Sequence, residues 1–103
     1  MKYMSHVERK IETAEDLEKI VAKNKAIQEE RKQYPDRYPK RLLHQDGTPI
    51  LYSTSLMEGI GIYEGTEDQL MNLALRWLPE AKWTFTPIFE SNRLVEMWEQ
   101  LKK

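Results

Sequence analysis

The sequence predicts a single α+β domain, residues 1–103, built on one antiparallel β-sheet. Two stretches carry apolar residues at helical spacing behind capping residues, and segments rich in aromatic and β-branched residues lie around them. The length suits one domain with one modest core. Hydrophobic residues make up 40% of the chain, which is typical of a folded rather than a disordered protein.

The first two predicted elements are a strand and a long helix. Residues 2–9 contain tyrosine, methionine and valine at positions compatible with a strand. Thr13 is suited to cap the helix, and the acidic residues after it favour the positive end of the helix dipole. The helix is expected to end near Gln33, because Pro35 disfavours the helical conformation in the residue before it. Its core-facing stripe consists of Leu17, Ile20, Val21, Asn24 and Ile27.

A stiff connector and a β-hairpin are predicted next. Residues 34–41 contain the pattern Tyr-Pro-x-Arg twice, and their two prolines restrict the backbone. Residues 41–53 are extended in character, with an Asp-Gly turn and a proline as interruptions. Residues 59–64, GIGIYE, are predicted as a strand that pairs with residues 50–53 in a hairpin.

The last three predicted elements are a helix, a strand and a short helix. The second helix opens at Thr66, where Thr-Glu-Asp-Gln fits a capping box, and it ends at Pro79. Residues 82–90 alternate between aromatic and smaller side chains and predict a strand. Pro87 lacks an amide donor, so this strand is expected at a sheet edge or with a bulge. Ser91 is then predicted to cap the terminal helix.

The predicted order, with its short C-terminal helix, is typical of the ferredoxin-like βαββαβ fold. In that fold an antiparallel sheet carries two helices on one face. The other face is predicted to be rich in apolar and aromatic residues, and its exposure to water would cost roughly 25 cal/mol per Å². We therefore expect a homodimer in which a second copy covers this face. The terminal helix, with Trp98 and Leu101, either folds back over the sheet or reaches the partner subunit.

The chain resembles the dimeric α/β-barrel superfamily, in particular its small-domain branch. The resemblance covers the element order, the length, the segment FTPIFE at residues 85–90 and the short C-terminal helix. It implies two sheets packed face to face and a cavity between sheet and helices in each subunit. That superfamily includes isomerases, monooxygenases and ligand-sensing regulators, so the resemblance does not select one chemistry.

His6 and Glu8 are the candidate catalytic pair. They lie two residues apart on the first predicted strand, so their side chains share a face about 7 Å apart, which suits proton transfer or metal ligation. Tyr63 is a candidate hydrogen-bond donor. The alternative is an ordinary hydrogen-bonded pair at a sheet edge or interface. His44 is interpreted as a solvated loop residue.

Aromatic residues on the predicted strands are candidate ligand-binding groups. Tyr52, Trp83 and Phe85 are placed where they can line a pocket for a flat apolar molecule. The alternative is that these side chains form only core and dimer contacts. If the protein is an enzyme, we favour a cofactor-free isomerase or monooxygenase acting on a small apolar or aromatic compound. No cofactor and no metal are expected.

Composition excludes several kinds of site. Without cysteine there is no disulfide, thiolate nucleophile or Cys-ligated metal centre. The net charge of -1 gives no general attraction to nucleic acid or anionic membranes. No membrane-spanning run and no secretory signal is recognised, so a cytoplasmic location is expected. The glycines of GIGIYEG are one residue too far apart for a dinucleotide fingerprint.

Residues 31–41 combine tyrosines with arginines and lysines. Such a segment is able to stack bases and hold phosphates. It is equally able to form a rigid loop whose tyrosines pack on the helix end and whose arginines stay in water. The basic aromatic strand of the common RNA-binding fold is missing. We therefore favour a rigid loop that forms a pocket rim.

Three hypotheses for function follow. The leading one is a small-molecule-binding protein of the dimeric α/β-barrel kind, whether enzyme or sensor. The second is a non-catalytic homodimeric interaction or sensor module whose aromatic residues leave no cavity. The third is weak nucleic-acid binding through residues 31–41. A cavity between sheet and helices distinguishes the first hypothesis from the second.

Overall fold

The structure, a computed structural model, describes residues 1–102 and confirms the α+β class. It contains a five-stranded antiparallel sheet and three α-helices. A 3-10 turn at Pro35–Arg37 lies in the connector after the first helix. The elements in chain order are β1 (Lys2–Arg9), α1 (Ala14–Gln33), β2 (Lys40–Arg41), β3 (Leu51–Ser53), β4 (Glu58–Glu64), α2 (Glu67–Trp77), β5 (Ala81–Ile88) and α3 (Ser91–Leu101).

The sheet has the order β2-β4-β1-β5, with β3 also paired to β4. β1 is central and pairs antiparallel with β4 on one side and β5 on the other. The predicted hairpin is present as the antiparallel pair β3 and β4. β5 pairs only with β1 among the described strands, so the strand containing Pro87 lies at an edge, as its missing amide donor predicts.

The extended segment predicted over residues 41–53 is not one continuous strand. β2 pairs with the end of β4, and β3 pairs with residues 59–61, so both lie along the same edge of β4. The residues between them leave the sheet in a loop with a bridge between Leu43 and Pro49. The loop turns at Gly47, whose φ of 89° is a conformation that favours glycine. The arrangement is consistent with a ferredoxin-like fold, but it has one strand more than the predicted βαββαβ pattern.

Capping boxes begin α1 and α2, as the sequence predicts. The Asp16 N–H donates to Thr13 Oγ1 at 3.2 Å, and the Thr13 N–H donates to the Asp16 carboxylate at 3.2 Å. Thr66 and Gln69 exchange the same two kinds of bond at 3.0 and 3.2 Å. Each box gives a partner to two backbone N–H groups at the start of a helix, where such groups otherwise lack one.

The start of α3 corrects one prediction. Ser91 is the first helical residue, and Glu90 occupies the N-cap position without a side-chain cap bond. The prediction of Ser91 as the cap is therefore wrong. Lys2 Nζ lies 2.8 Å from Glu90 Oε1, so the carboxylate is held beside β1 rather than over the helix end.

The core lies between one face of the sheet and the helices α1 and α2. Ser5 and Val7 of β1 pair with Phe85 and Trp83 of the neighbouring strand β5, and residues paired in this way share a face of the sheet. Alternation along β1 therefore turns its odd-numbered residues toward the helices. The buried hydrophobic residues of the core are Val7, Ile20, Ile27, Tyr38, Tyr63, Leu70, Leu73, Trp77 and Ala81.

The opposite face of the sheet, called the open face below, is uncovered. Met4, Tyr52 and Ile60 lie on it and are 42%, 53% and 36% exposed. α3 projects away from the core, and none of its residues is buried; Leu94 and Leu101 are 76% and 75% exposed. The molecule accordingly measures 60 × 30 × 27 Å. Within residues 1–102, α3 does not fold back over the sheet.

Leu70→Ala should destabilise the protein by about 2–5 kcal/mol, because it removes a side chain that is only 4% exposed and leaves a cavity in the core. Met71→Ala is the matched control on the same helix. Its side chain is 63% exposed, so the change should stay within about 0.5 kcal/mol. Urea unfolding of both variants measures the difference. Equal losses at the two positions would contradict the assignment of the buried face of α2.

Candidate functional site

A cavity of about 570 Å³ separates α1 from the sheet. Its roof is α1, its floor is formed by β1, β4 and β5, and α2 closes one side. Lining residues on α1 and β3, including Val21 and Leu51, are exposed, so the cavity opens between these two elements. Small-molecule sites usually have volumes of roughly 300–1,000 Å³. A cavity of the expected kind is therefore present between sheet and helix.

Small side chains form the floor of this cavity. Ser5 and Val7 of β1 lie beside glycines of β4, and Ala81 lies at the start of β5. A Cβ on Gly59 would lie 3.1 Å from Val7 Cγ1 and 3.2 Å from the carbonyl oxygen of Tyr52. Neighbouring strands therefore approach this glycine closely, and little side-chain volume rises from the floor toward α1.

Aromatic rings form a packed wall on the β5 side. The ring centroid of Trp83 lies 5.8 Å from Tyr63, 6.1 Å from Trp77 and 6.0 Å from Phe85. The contact with Tyr63 is edge-to-face and the contact with Phe85 is stacked, both of which are favourable ring geometries. Tyr63, Trp77 and Trp83 line the cavity, and Phe85 supports Trp83. These mutual contacts hold the wall in place independently of any ligand.

Three buried polar atoms of lining residues have no hydrogen-bond partner within residues 1–102. They are Ser5 Oγ, Arg31 Nε and Trp83 Nε1. Buried polar groups are hydrogen-bonded in the great majority of cases. An unpaired one costs about 1–3 kcal/mol. The two N–H groups are donors and the hydroxyl is both donor and acceptor. All three atoms are covered by neighbouring protein atoms and are not open to the cavity.

Arg31 and Arg41 lie at the end of the cavity formed by the C-terminal part of α1 and by β2. Burial lowers the pKa of Arg31, and the nearby Arg41 lowers it further. A guanidinium nevertheless stays protonated at neutral pH. Arg31 also lies over the ring of Tyr38, with Cζ 5.3 Å from the centroid. In the described part of the chain, neither arginine has a carboxylate within 4.0 Å.

Tyr63 places a neutral phenol at the same end. It is 3% exposed and pairs in register with Arg41. Burial raises the pKa of Tyr63 above its ordinary value of 10.0, and Arg31 and Arg41 oppose that rise. The phenol is therefore protonated at neutral pH and able to donate a hydrogen bond.

The structure separates the predicted catalytic residues. His6 and Glu8 lie on the open face, whereas Tyr63 faces the helices, because Tyr63 pairs with Tyr3 and successive residues of β1 alternate between faces. His6 Nε2 lies 3.5 Å from Glu58 Oε1, so its ion-pair partner comes from the neighbouring strand. Within one subunit, His6 and Glu8 do not reach the cavity that Tyr63 lines.

The predicted ligand-binding residues are divided in a similar way. Trp83 lines the cavity and Phe85 packs against it. Tyr52 belongs to the lining, but its phenol lies on the open face, where it forms a 2.8 Å hydrogen bond with His44 Nε2. His44 is exposed, as predicted, and orients Tyr52. Of the three predicted ligand-binding residues, Trp83 lies in the aromatic wall, Phe85 supports it, and the phenol of Tyr52 points away from the cavity.

Sequence reasoning misses Ser5, Arg31 and Trp77 as cavity residues. Arg31 lies four residues after Ile27, at the helical spacing that continues the core-facing stripe of α1. Ser5 alternates with Val7 on β1 and therefore shares its face. Both signals are present in the sequence. Because Arg31 belongs to a charged stretch, the sequence favours a solvated position for it over a place in a cavity.

The two Tyr-Pro-x-Arg units differ in the structure. Tyr38 is 2% exposed and belongs to the core, whereas Tyr34 is 47% exposed, with Arg37 Cζ 4.1 Å from its ring centroid. Gln69 and Asn72 of α2 each donate a 3.0 Å hydrogen bond to a backbone carbonyl of the connector. These contacts favour a rigid connector over a nucleic-acid grip, because one of the two tyrosines is inaccessible to bases.

Comparison of the chain with protein-family models, with curated proteins and with solved structures finds no match. Across residues 1–102, no helix has the length and apolar character needed to cross a membrane. Over the same residues, no three histidine, aspartate or glutamate side chains converge as ligands for a metal ion. The geometry of the cavity is therefore the basis on which function is inferred.

The free energy of unfolding of Tyr63→Phe should fall less steeply at alkaline pH than that of the wild type. Because burial raises the folded-state pKa of Tyr63, its contribution to stability is intact below the unfolded pKa near 10.0 and is lost as pH rises through the folded value. The limiting slope is about 1.4 kcal/mol per pH unit. Burial also raises the pKa of Tyr38, so part of the alkaline loss of stability should remain in this variant. Urea unfolding at pH values from 8 to 11, in steps of about half a pH unit, measures this loss of stability.

The exposed Tyr34→Phe variant is the control and should lose stability as the wild type does. A parallel decline in the stability of Tyr63→Phe and of the wild type as pH rises would show that burial does not raise the pKa of Tyr63. That result would remove the support for this phenol as a donor in the cavity.

Proposed function

We propose that the protein binds a small apolar or aromatic molecule between α1 and the sheet, as a member of the dimeric α/β-barrel kind. The observation that carries the proposal is the cavity of about 570 Å³ with its packed aromatic wall. Protein interiors are otherwise packed as densely as organic crystals. A bound molecule would restore packing.

The lining supports binding better than proton chemistry. The usual general acids and bases of enzymes are histidine, aspartate, glutamate, lysine, cysteine and tyrosine. Within the described residues, the lining contains none of the first three. Its tyrosines are Tyr63, which is protonated at neutral pH, and Tyr52, whose phenol lies on the open face, and its lysine, Lys25, is exposed. An isomerase or monooxygenase that uses His6 and Glu8 would need its substrate at the open face. We therefore favour a sensor or carrier over an enzyme.

The finer fold assignment is part of the same proposal. We count β2 and β3 as two halves of one edge strand, since both pair with β4 along the same edge. The elements then follow the ferredoxin-like βαββαβ order with α3 added at the end. The loop at residues 42–50 is an insertion within this edge strand.

A second copy of the chain is the proposed cover for the open face. Exposed apolar residues at Met4, Tyr52 and Ile60 lie among the polar side chains of His6 and Glu58. His6 lies near the middle of this face, paired with Ile60 and Thr84, so the surface mixes apolar and polar groups, as non-obligate protein interfaces do. The exposed apolar side of α3 extends beyond the sheet and is placed to reach the partner subunit. Both surfaces are left in water by a lone subunit, which supports a homodimer.

Val21→Trp should abolish ligand binding by filling the opening of the cavity. Val21 lines the cavity from α1 and is 47% exposed, so the larger ring can be accommodated without disturbing the core. With the wild type, naphthol or naphthoate well above its dissociation constant should raise Tm by at least about 4 °C. Leu17→Trp, which enlarges an exposed residue of α1 outside the lining, is the matched control. Equal shifts in all three proteins would place the ligand elsewhere.

Met4→Lys should convert the dimer to a folded monomer. It places a charge at the centre of the open face, where desolvation in an interface is costly. Leu75→Lys is the control, since Leu75 is 61% exposed on α2, away from the sheet. Sedimentation equilibrium measures the dissociation constant, which should rise at least about tenfold for Met4→Lys alone. A wild-type protein that stays monomeric at high concentration contradicts the homodimer.

A further inference from the structure

We infer that the ligand is an organic oxyanion, whose charged group binds at the end of the cavity formed by Arg31, Arg41 and Tyr63 while its apolar body lies against Trp77 and Trp83. This inference rests on the proposed function, because it names the chemical class of the molecule that the cavity holds. It adds a charge requirement, which is independent of the size and apolar character of the cavity.

The charge of the lining differs from that of the whole chain. The chain has 16 basic and 17 acidic residues. In the described residues, the charged members of the lining are all basic: Arg9, Lys25, Arg31 and Arg41. Four charged residues drawn at random from a balanced chain would in most cases include both signs. The cavity is therefore a local positive site in a protein whose net charge is -1.

Arg31 and Arg41 are the two members best placed to hold an anion. The acidic neighbour of Arg31 in sequence, Glu30, is engaged by Arg76, with Nη2 2.9 Å from Oε1. Among residues 1–102, Arg31 and Arg41 have no such partner, and the Arg31 Nε–H is buried and unpaired. Two like charges close together in a partly buried site repel one another. A carboxylate or phosphate between them removes the repulsion and accepts charge-assisted hydrogen bonds from both guanidinium groups.

Arg9, at the other end of the cavity, has a different role. Its guanidinium donates to the carbonyl oxygens of Leu56 and Glu58 at 3.3 and 3.4 Å and to Ser53 Oγ at 3.3 Å. These bonds tie β1 to the β3–β4 hairpin and use donors that an anion would need. The charged group of the ligand is therefore assigned to the Arg31 end.

The rest of the cavity suits an apolar body of one or two rings. The aromatic wall and the side chains of Val7, Ile20 and Leu73 give it apolar sides. The protonated phenol of Tyr63 is available to donate to the oxyanion. A carboxylate and a phosphate share the chemistry that this end recognises.

Three matched probes test the charge requirement: naphthoate, naphthyl phosphate and the neutral naphthamide. Calorimetric titration at low ionic strength should give one or both anions at least about tenfold tighter binding than the amide. Arg41→Gln and Arg31→Gln should each weaken binding of the preferred anion by about ten- to a hundredfold and leave naphthamide unchanged. Arg37→Gln, the same change in the connector but outside the lining, is the matched control and should have no effect.

Unfolding of the ligand-free variants gives a second readout. Arg41→Gln removes one of two neighbouring like charges, so its Tm without ligand should equal or exceed that of the wild type. Arg31→Gln also loses the contact with Tyr38. If that variant does not fold, Arg41→Gln carries the test alone.

The outcomes separate the inference from the function on which it rests. Equal affinity for anion and amide, or unchanged anion affinity in Arg41→Gln, overturns the oxyanion inference and leaves a neutral-ligand cavity. Absence of binding by all three probes at millimolar concentration overturns the proposed function itself. A preference for either the carboxylate or the phosphate supports the inference and identifies the charged group.

Discussion

The separation of α1 from the sheet is the constraint on which the rest of the structure depends. β1 and β4 place Ser5 and Gly59 on the floor beneath the helix, and these residues are too small to fill the space. The packed rings of Trp77 and Trp83 hold the side of the cavity in place. Because a small domain has only one modest core, the loss of packing there is a considerable fraction of its stability. A site for a ligand is the physical role that such a space is able to serve.

The protein is incomplete in three places as a lone subunit: at the cavity, at the open face of the sheet and along α3. Each feature lowers the stability of the isolated chain. In the proposed function a small molecule fills the cavity, and a second copy covers the open face and α3. Unpaired polar groups such as Arg31 Nε and exposed apolar residues such as Leu101 are features that a fold selected for stability alone would not keep. The proposed function would account for these departures from good packing.

Local signals in the sequence are enough to predict most elements but not the site. The capping threonines Thr13 and Thr66 and the helix-ending Pro79 act within one turn of the chain, so the helices are predicted well. Ser91 is not the cap because the helix begins at Ser91 itself, and the Glu90 carboxylate makes no cap bond because a residue far away in sequence, Lys2, holds it. The alternation of β1 predicts that His6 and Glu8 share a face. It does not say which face the helices cover, and hence it does not show that Tyr63 and Trp83 line a cavity from which His6 is excluded.

The indole N–H resonances of the three tryptophans test the central claim most directly. Trp83 has a buried indole N–H without a partner among residues 1–102 and lies in the cavity lining together with Trp77, whereas Trp98 lies on α3, 59% exposed. In a proton–nitrogen correlation spectrum, titration with naphthoate should shift the Trp83 resonance most, move that of Trp77, and leave that of Trp98 in place. A shift confined to Trp98, or unchanged resonances of Trp77 and Trp83 in a sample that binds the ligand, would contradict a binding site between α1 and the sheet.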